Sequence, residues 1–179
     1  MIGGEQSAAD LCFATLEKAR PFSKKEYVTE ECLFCRIQQG LIPIAGGPIY
    51  EDELIYAHHF HTDEWPAYLG HLLVETKRHT PDFAALTVSE SQAIGLLIAH
   101  LSKALKVCVG AEKIYVTFYG EATPHLHIHL TARYPNAPAR YLRWNIEDWP
   151  DAPKGSGDDI AALSERLRLF LRHHPAENP

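Results

Sequence analysis

The chain has 179 residues, 46% of them hydrophobic, and a formal net charge of −6. That length suits one domain with its own core. The acidic balance excludes a surface built to coat nucleic acid, but not a small phosphate site made of histidines and backbone amides. No basic-then-apolar leader and no apolar run of membrane-spanning length stands out, so the expectation is a cytoplasmic protein with no membrane partner.

In chain order, residues 1–6 read as a tail. Ser7 caps a helix expected over Ala8–Arg20, stopped by Pro21, and residues 21–31 form a charged connector. Cys32-Leu33-Phe34-Cys35 predicts a knuckle followed by a short helix closed near Gly40. Gly46-Gly47-Pro48 is a turn. Ile49–Glu51 and Leu54–Ala57 predict a β-hairpin. Residues 58–70, with His58, His59, His61, Trp65 and Pro66, read as a long loop. Gly70 then leads into a strand, His71–Thr76. Thr87 or Ser89 caps a long helix ending at Gly110, its apolar stripe formed by Ile94, Leu97, Ile98, Leu101 and Leu105. A strand is expected over Lys113–Tyr119. After a short turn, another starts at Pro124-His125. Residues 135–158 look irregular, and Asp159 to about Arg172 is a final amphipathic helix. Strands joined by short turns around one long helix indicate an antiparallel α+β domain.

Chemistry concentrates in two places. In a strand, successive side chains point to opposite faces. His125, His127 and His129 therefore share one face, while Leu126, Ile128 and Leu130 enter a core. Each imidazole can serve as base, nucleophile, donor or metal ligand near neutral pH. His71 opens a neighbouring strand and can share that pocket. The second place is Cys32-x-x-Cys35. In a reducing compartment this is a metal-binding or redox pair. The lack of a βαβ setting argues against a thioredoxin-like role. A closed zinc site needs two more ligands. His79 and His125 are candidates, and spacing does not rank them above His58, His59 or His61.

The motif His125-Leu126-His127-Ile128-His129-Leu130-Thr131 resembles the histidine-triad (HIT) family signature, His-φ-His-φ-His-φ-φ. Cys32-Leu33-Phe34-Cys35-Arg36-Ile37 resembles the family's opening C-x-F-C-x-I. Tyr50-Glu51-Asp52-Glu53, Gly70-His71-Leu72-Leu73-Val74 and Lys77-Arg78-His79 follow in family order. The resemblance covers residues 32–134, leaving 1–31 and 135–179 as flanking segments. It implies a five-stranded antiparallel sheet with a long helix, usually paired as a homodimer. It implies that His127 is the nucleophile of a nucleotidyl-histidine intermediate and that His129 and His71 hold the phosphate. It also selects Cys32, Cys35, His79 and His125 as structural zinc ligands, as in the zinc-bearing bacterial, Hint-like branch. Substrates would be nucleoside phosphoramidates or dinucleoside polyphosphates.

The chain departs from the family before the triad. There N-x-G-x-x-A-G-Q-[ST] is replaced by Phe118-Tyr119-Gly120-Glu121-Ala122-Thr123-Pro124, with Thr123 the candidate for the phosphate-facing hydroxyl. Phe60 stands near the position of the family's ribose-binding acid. Trp65 and Trp144 are read as packing residues rather than a substitute aromatic wall. Two other functional classes compete with the enzyme. One is a non-catalytic nucleotide-binding or scaffolding module. The other is a metal-dependent hydrolase whose three histidines converge on one ion.

Overall fold

The structure, a computed structural model, describes residues 32–60 and 66–175. The helix expected over Ala8–Arg20, the charged connector, His61 and Trp65 lie outside these residues. The described elements are α1 (Leu33–Gln38), β1 (Pro48–Glu51), β2 (Ile55–His59), β3 (Ala67–Tyr68), β4 (His71–Thr76), α2 (Val88–Val109), β5 (Lys113–Thr117), β6 (His127–Arg133), β7 (Lys154–Gly155) and α3 (Gly157–His173). Five strands pair in the order β1-β2-β4-β6-β5, every neighbour antiparallel. This is the expected α+β class.

Period-two side-chain alternation sets the two faces of the sheet. Ile55, Ala57, Leu72, Val74, Leu126, Ile128 and Leu130 point to one side and join Leu97, Leu101 and Leu105 of α2 and Leu163 and Leu167 of α3 in one core. The intervening residues point the other way. Among them Tyr56 and Leu73 pack with Cys32, Phe34, Cys35 and Ile37 in a second, smaller core. So the face opposite α2 carries both the histidines and the cysteine knuckle.

α2 begins at a capping box. The Thr87 hydroxyl accepts from Glu90 N–H, and the Glu90 carboxylate accepts from Thr87 N–H, satisfying two otherwise unpaired donors. Thr87, not Ser89, is the cap. Glu90 also receives two bonds from Arg78 at 2.7 and 2.9 Å, tying the helix start to the chain just past β4. Gly110 ends the helix at φ +69°, a conformation that costs glycine little. α2 corrects one expectation, because by length and apolar composition it is sufficient to cross a membrane. Here Ile94, Leu97, Leu101, Ala104 and Leu105 face the sheet.

Several boundaries differ from the sequence reading. His58 and His59, expected in a loop, complete β2, because both pair with β4 opposite Leu73 and Leu72. β5 stops at Thr117, two residues early, and β6 starts at His127 rather than at His125. The irregular segment 135–158 contains two 3-10 turns, Ala139–Tyr141 and Arg143–Asp148, and the short β7. β7 pairs with β3 through Ala67↔Gly155 and Tyr68↔Lys154. That pairing is non-local and has no signature in either segment alone. It anchors the C-terminal segment beside β4.

Candidate active site and metal centre

Gly70 starts the site. Its φ of +83° turns the chain into β4, and a Cβ there would stand 3.0 Å from the Ala132 Cβ. Its N–H donates to His59 Nε2 at 3.2 Å, and His59 Nδ1–H donates to the Phe60 carbonyl at 3.1 Å. Burial holds His59 neutral, its pKa lowered to about 4. The turn thereby places His71 at the head of β4, beside β6.

His71 and His129 meet there, Nε2 to Nδ1 at 2.8 Å. Phe60 lies flat on the His71 ring, with centroids 4.4 Å apart and planes 6° from parallel. Burial first, then the neighbouring His71 and His127, lower the His129 pKa to about 4. His127 is also buried, 8% exposed, and stands against Phe34 with ring centroids 4.4 Å apart. Its Nδ1 is 2.6 Å from the His125 carbonyl. A carbonyl only accepts, so Nδ1 carries a proton, and in the neutral ring Nε2 keeps its lone pair. That is the nucleophilic tautomer.

His125 is the exception among the three. It precedes the strand, is fully buried and turns its Nδ1 towards the knuckle, 3.4 Å from Cys32 Sγ and 3.5 Å from Cys35 Sγ. Cys35 Sγ is also 3.3 Å from His79 Nδ1. The four ligand atoms of Cys32, Cys35, His79 and His125 all lie within 4.8 Å of one another. A tetrahedral zinc with ordinary Zn–S and Zn–N distances requires ligand–ligand edges of about 3.4–3.8 Å, so this donor set fits. His125 Nε2–H donates to the Thr76 carbonyl at 2.8 Å, the kind of outer bond that orients a ligating imidazole. Burial, and next Cys32, push the Cys35 thiol up to about 12. A bound cation is what would draw Cys35 into its thiolate form. His58 and His59 do not join the cluster. His58 is buried in a pair with Glu75 at 2.7 Å, and Glu75 also accepts from Gln38 of α1 at 2.9 Å.

The three motif histidines therefore do not converge on one ion. One faces the cysteines, one presents a free Nε2, and one pairs with His71. Thr123 is half-buried in the preceding loop, its carbonyl accepting from His125 N–H at 2.8 Å.

One feature was not read from the sequence and another was misread. Glu147, in the Arg143–Asp148 turn, brings Oε1 to 2.9 Å from His71 Nδ1. Burial pushes its carboxyl up. The contact with His71 and the nearby His129 and His59 rings outweigh that and hold it below its ordinary range. Trp144 corrects the packing expectation. It is 71% exposed, stands 5.9 Å from Tyr119, and with Tyr119, His71, His129 and Glu147 helps to line a cavity of about 420 Å³. Proximity to His71 was the missing signal, and only the fold supplies it.

The HIT domain family model matches residues 45–136. An uncharacterised HIT-like protein of Mycoplasma genitalium is 32% identical over 111 residues, which span 59% of this chain and 75% of that protein. A zinc-bound histidine triad family protein of Mycobacterium smegmatis superposes with a TM-score of 0.60 at 18% identity, over 81% of this chain and 98% of that one. A Plasmodium falciparum diadenosine triphosphate hydrolase, solved in complex with cyclomarin A, gives 0.53 at 16% identity, over 74% and 80% of the two chains. The structural likenesses bear on the fold alone.

Proposed function

The chain belongs to the HIT family, and from that membership we propose that it is a nucleotidyl hydrolase or transferase. Its substrate is a nucleoside phosphoramidate or a dinucleoside polyphosphate, and it works through a covalent intermediate on His127. The tautomer of His127 carries this reading: Nδ1–H is committed to the His125 carbonyl, so the Nε2 lone pair is available beside the His71–His129 pair.

In the first step that lone pair forms an N–P bond. The P–N or P–O bond to the leaving group breaks, and the leaving group departs with its electron pair and is protonated. Water, or another acceptor, then attacks phosphorus. The N–P electrons return to Nε2, and the acceptor's proton passes to solvent. His129 and His71 donate to phosphate oxygens as charge develops, and Thr123 would add a hydroxyl contact. The named activity of the Plasmodium falciparum relative supports the substrate class. Cys32, Cys35, His79 and His125 would hold one zinc ion, which supplies structural closure between α1 and the start of β6. The protein would act as a homodimer.

The test is release of AMP from adenosine phosphoramidate and from diadenosine polyphosphates, by wild type and His127→Ala. Turnover should fall at least about 10³-fold in the variant, as for loss of a covalent nucleophile. Turnover retained in His127→Ala would overturn the reading. The second reading, a binding module, rests on Phe118, whose ring stands 6.3 Å from that of His127 where the family has Asn. Tight AMP binding with no turnover on either substrate class would favour it.

A further inference from the structure

The cavity beside the histidine pair is larger than one phosphate needs. It measures about 420 Å³, inside the range of about 300–1,000 Å³ usual for small-molecule sites. His71 and His129 line it, and His127 is not among its walls. Leading outward from His129 are two aromatic rings that the proposed chemistry does not use. Tyr119, 56% exposed, stands 6.2 Å from His129, and Trp144, 71% exposed, stands 5.9 Å from Tyr119. A tryptophan so placed keeps a large apolar face in water. The fold holds it there. Ile146, two residues on, is buried in the main core. Arg143, the residue before, has φ +66°, a left-handed backbone state that costs any residue with a Cβ.

Phosphoryl transfer sets the attacking and leaving atoms roughly in line. With His127 Nε2 attacking, the departing group lies on the far side of phosphorus from His127. Phe34 covers His127, with ring centroids 4.4 Å apart, whereas the cavity opens from His71 and His129. The departing group is therefore the one that meets Tyr119 and Trp144. The walls specify its chemistry. Exposed aromatic rings offer faces on which a planar ring stacks, and every nucleobase has such a face. Arg143, an exposed cation on the same wall, suits phosphates that lie between that base and the reacting phosphorus. Glu147, the acid of this wall, stands at its inner end, 2.9 Å from His71 Nδ1. The two steps from His129 through Tyr119 to Trp144 make a span that two bridging phosphates and a ribose can cover.

We infer that Tyr119 and Trp144 bind the departing nucleoside of a dinucleoside polyphosphate, its base stacked on Trp144. The P–O bond to the bridging oxygen breaks, and a nucleotide leaves with the electron pair. The chain thus favours this class over a phosphoramidate with a small leaving group. This rests on the proposed function for the reacting phosphorus, but the stacking site itself does not depend on turnover.

The experiment measures kcat/KM for diadenosine triphosphate and for adenosine phosphoramidate with wild type, Trp144→Ala and Trp144→Phe. The ratio of the first to the second should fall about tenfold or more in Trp144→Ala, as for loss of one base–aromatic stack, and should be largely kept in Trp144→Phe. Calorimetry follows the binding of AMP and of a methylene-bridged, non-hydrolysable diadenosine triphosphate analogue, and light scattering follows the oligomeric state. The preference for the dinucleotide over AMP should fall by a similar factor. A turnover ratio unchanged in Trp144→Ala would overturn the inference, as would an equal loss on both substrates, which would put the transferred nucleoside on these rings. A changed oligomeric state with the ratio unaltered would also overturn it, and would put a second copy of the chain there. If neither substrate turns over, a binding preference lost in Trp144→Ala upholds the inference while the proposed activity fails. Turnover that needs His127, with a ratio indifferent to Trp144, upholds the activity while the inference fails.

Discussion

Four neighbouring histidines do different work because each has a different partner. His125 is ordered by Thr76 on one ring nitrogen and faces two thiols with the other. His127 is fixed by a carbonyl, and His71 and His129 by each other. Alternation in the sequence put the rings of His125, His127 and His129 on one face, but it carried no information about partners, which for His125 and His129 come from elements tens of residues away. The buried rings also make a pH prediction. His59 and His129 stay neutral in the folded protein down to about 4, against an ordinary value of 6.5. Between these limits the unfolded chain binds more protons, so stability rises with pH there. It is full above about 6.5 and is lost as pH falls towards about 4. His79 and His125, also lowered by burial, act in the same direction. Urea midpoints measured at pH 7 and pH 4.5 should differ less in His129→Asn than in wild type. An identical pH dependence in the two proteins would show that burial of His129 does not contribute.

At the scale of elements, α1 is six residues long, too short to be stable alone. Its buried Phe34, Cys35 and Ile37 meet Tyr56 and Leu73 on the sheet, and Gln38 reaches Glu75. A metal joining Cys32 and Cys35 to His79 and His125 would tie this helix to the ends of two strands. Wild-type protein should therefore contain one zinc per chain. Cys32→Ser should lose it and melt about 10 °C or more lower, because a structural metal's binding energy is folding energy. Stoichiometric zinc in a Cys32→Ser, Cys35→Ser double variant, measured by elemental analysis, would refute the ligand set. The knuckle was readable from the C-x-x-C spacing. Spacing alone did not rank His79 and His125 above His58 and His59; the family resemblance selected them, and the fold brings the same two beside the cysteines.

At the scale of the molecule, the segment after Asn136 is part of both the core and the site. Ile146, Leu163 and Leu167 are each 4% exposed or less and belong to the main core. Arg168 donates to the Gly46 and Pro48 carbonyls at 2.7 and 2.8 Å, fastening α3 to the turn before β1. Burying three such side chains contributes roughly 5–9 kcal/mol, comparable to the whole stability of a typical domain. A chain ending at Asn136 should thus fail to give soluble, cooperatively folding protein, although it keeps the entire matched family region. A cooperative thermal transition from that truncated chain would show that the C-terminal segment is an appendage.

The sequence by itself determined the class of fold, the strands around His71 and the triad, the long helix, and the two chemical foci. These rest on local signals: period-two and period-3.6 burial, capping residues, and short motifs whose parts lie within a few residues of one another. Only the tertiary structure decided that His58 and His59 lie in a strand, that Trp144 is exposed over the cavity, and that Glu147 reaches His71. Each of these depends on contacts between segments far apart in the chain, and local periodicity holds no record of such contacts.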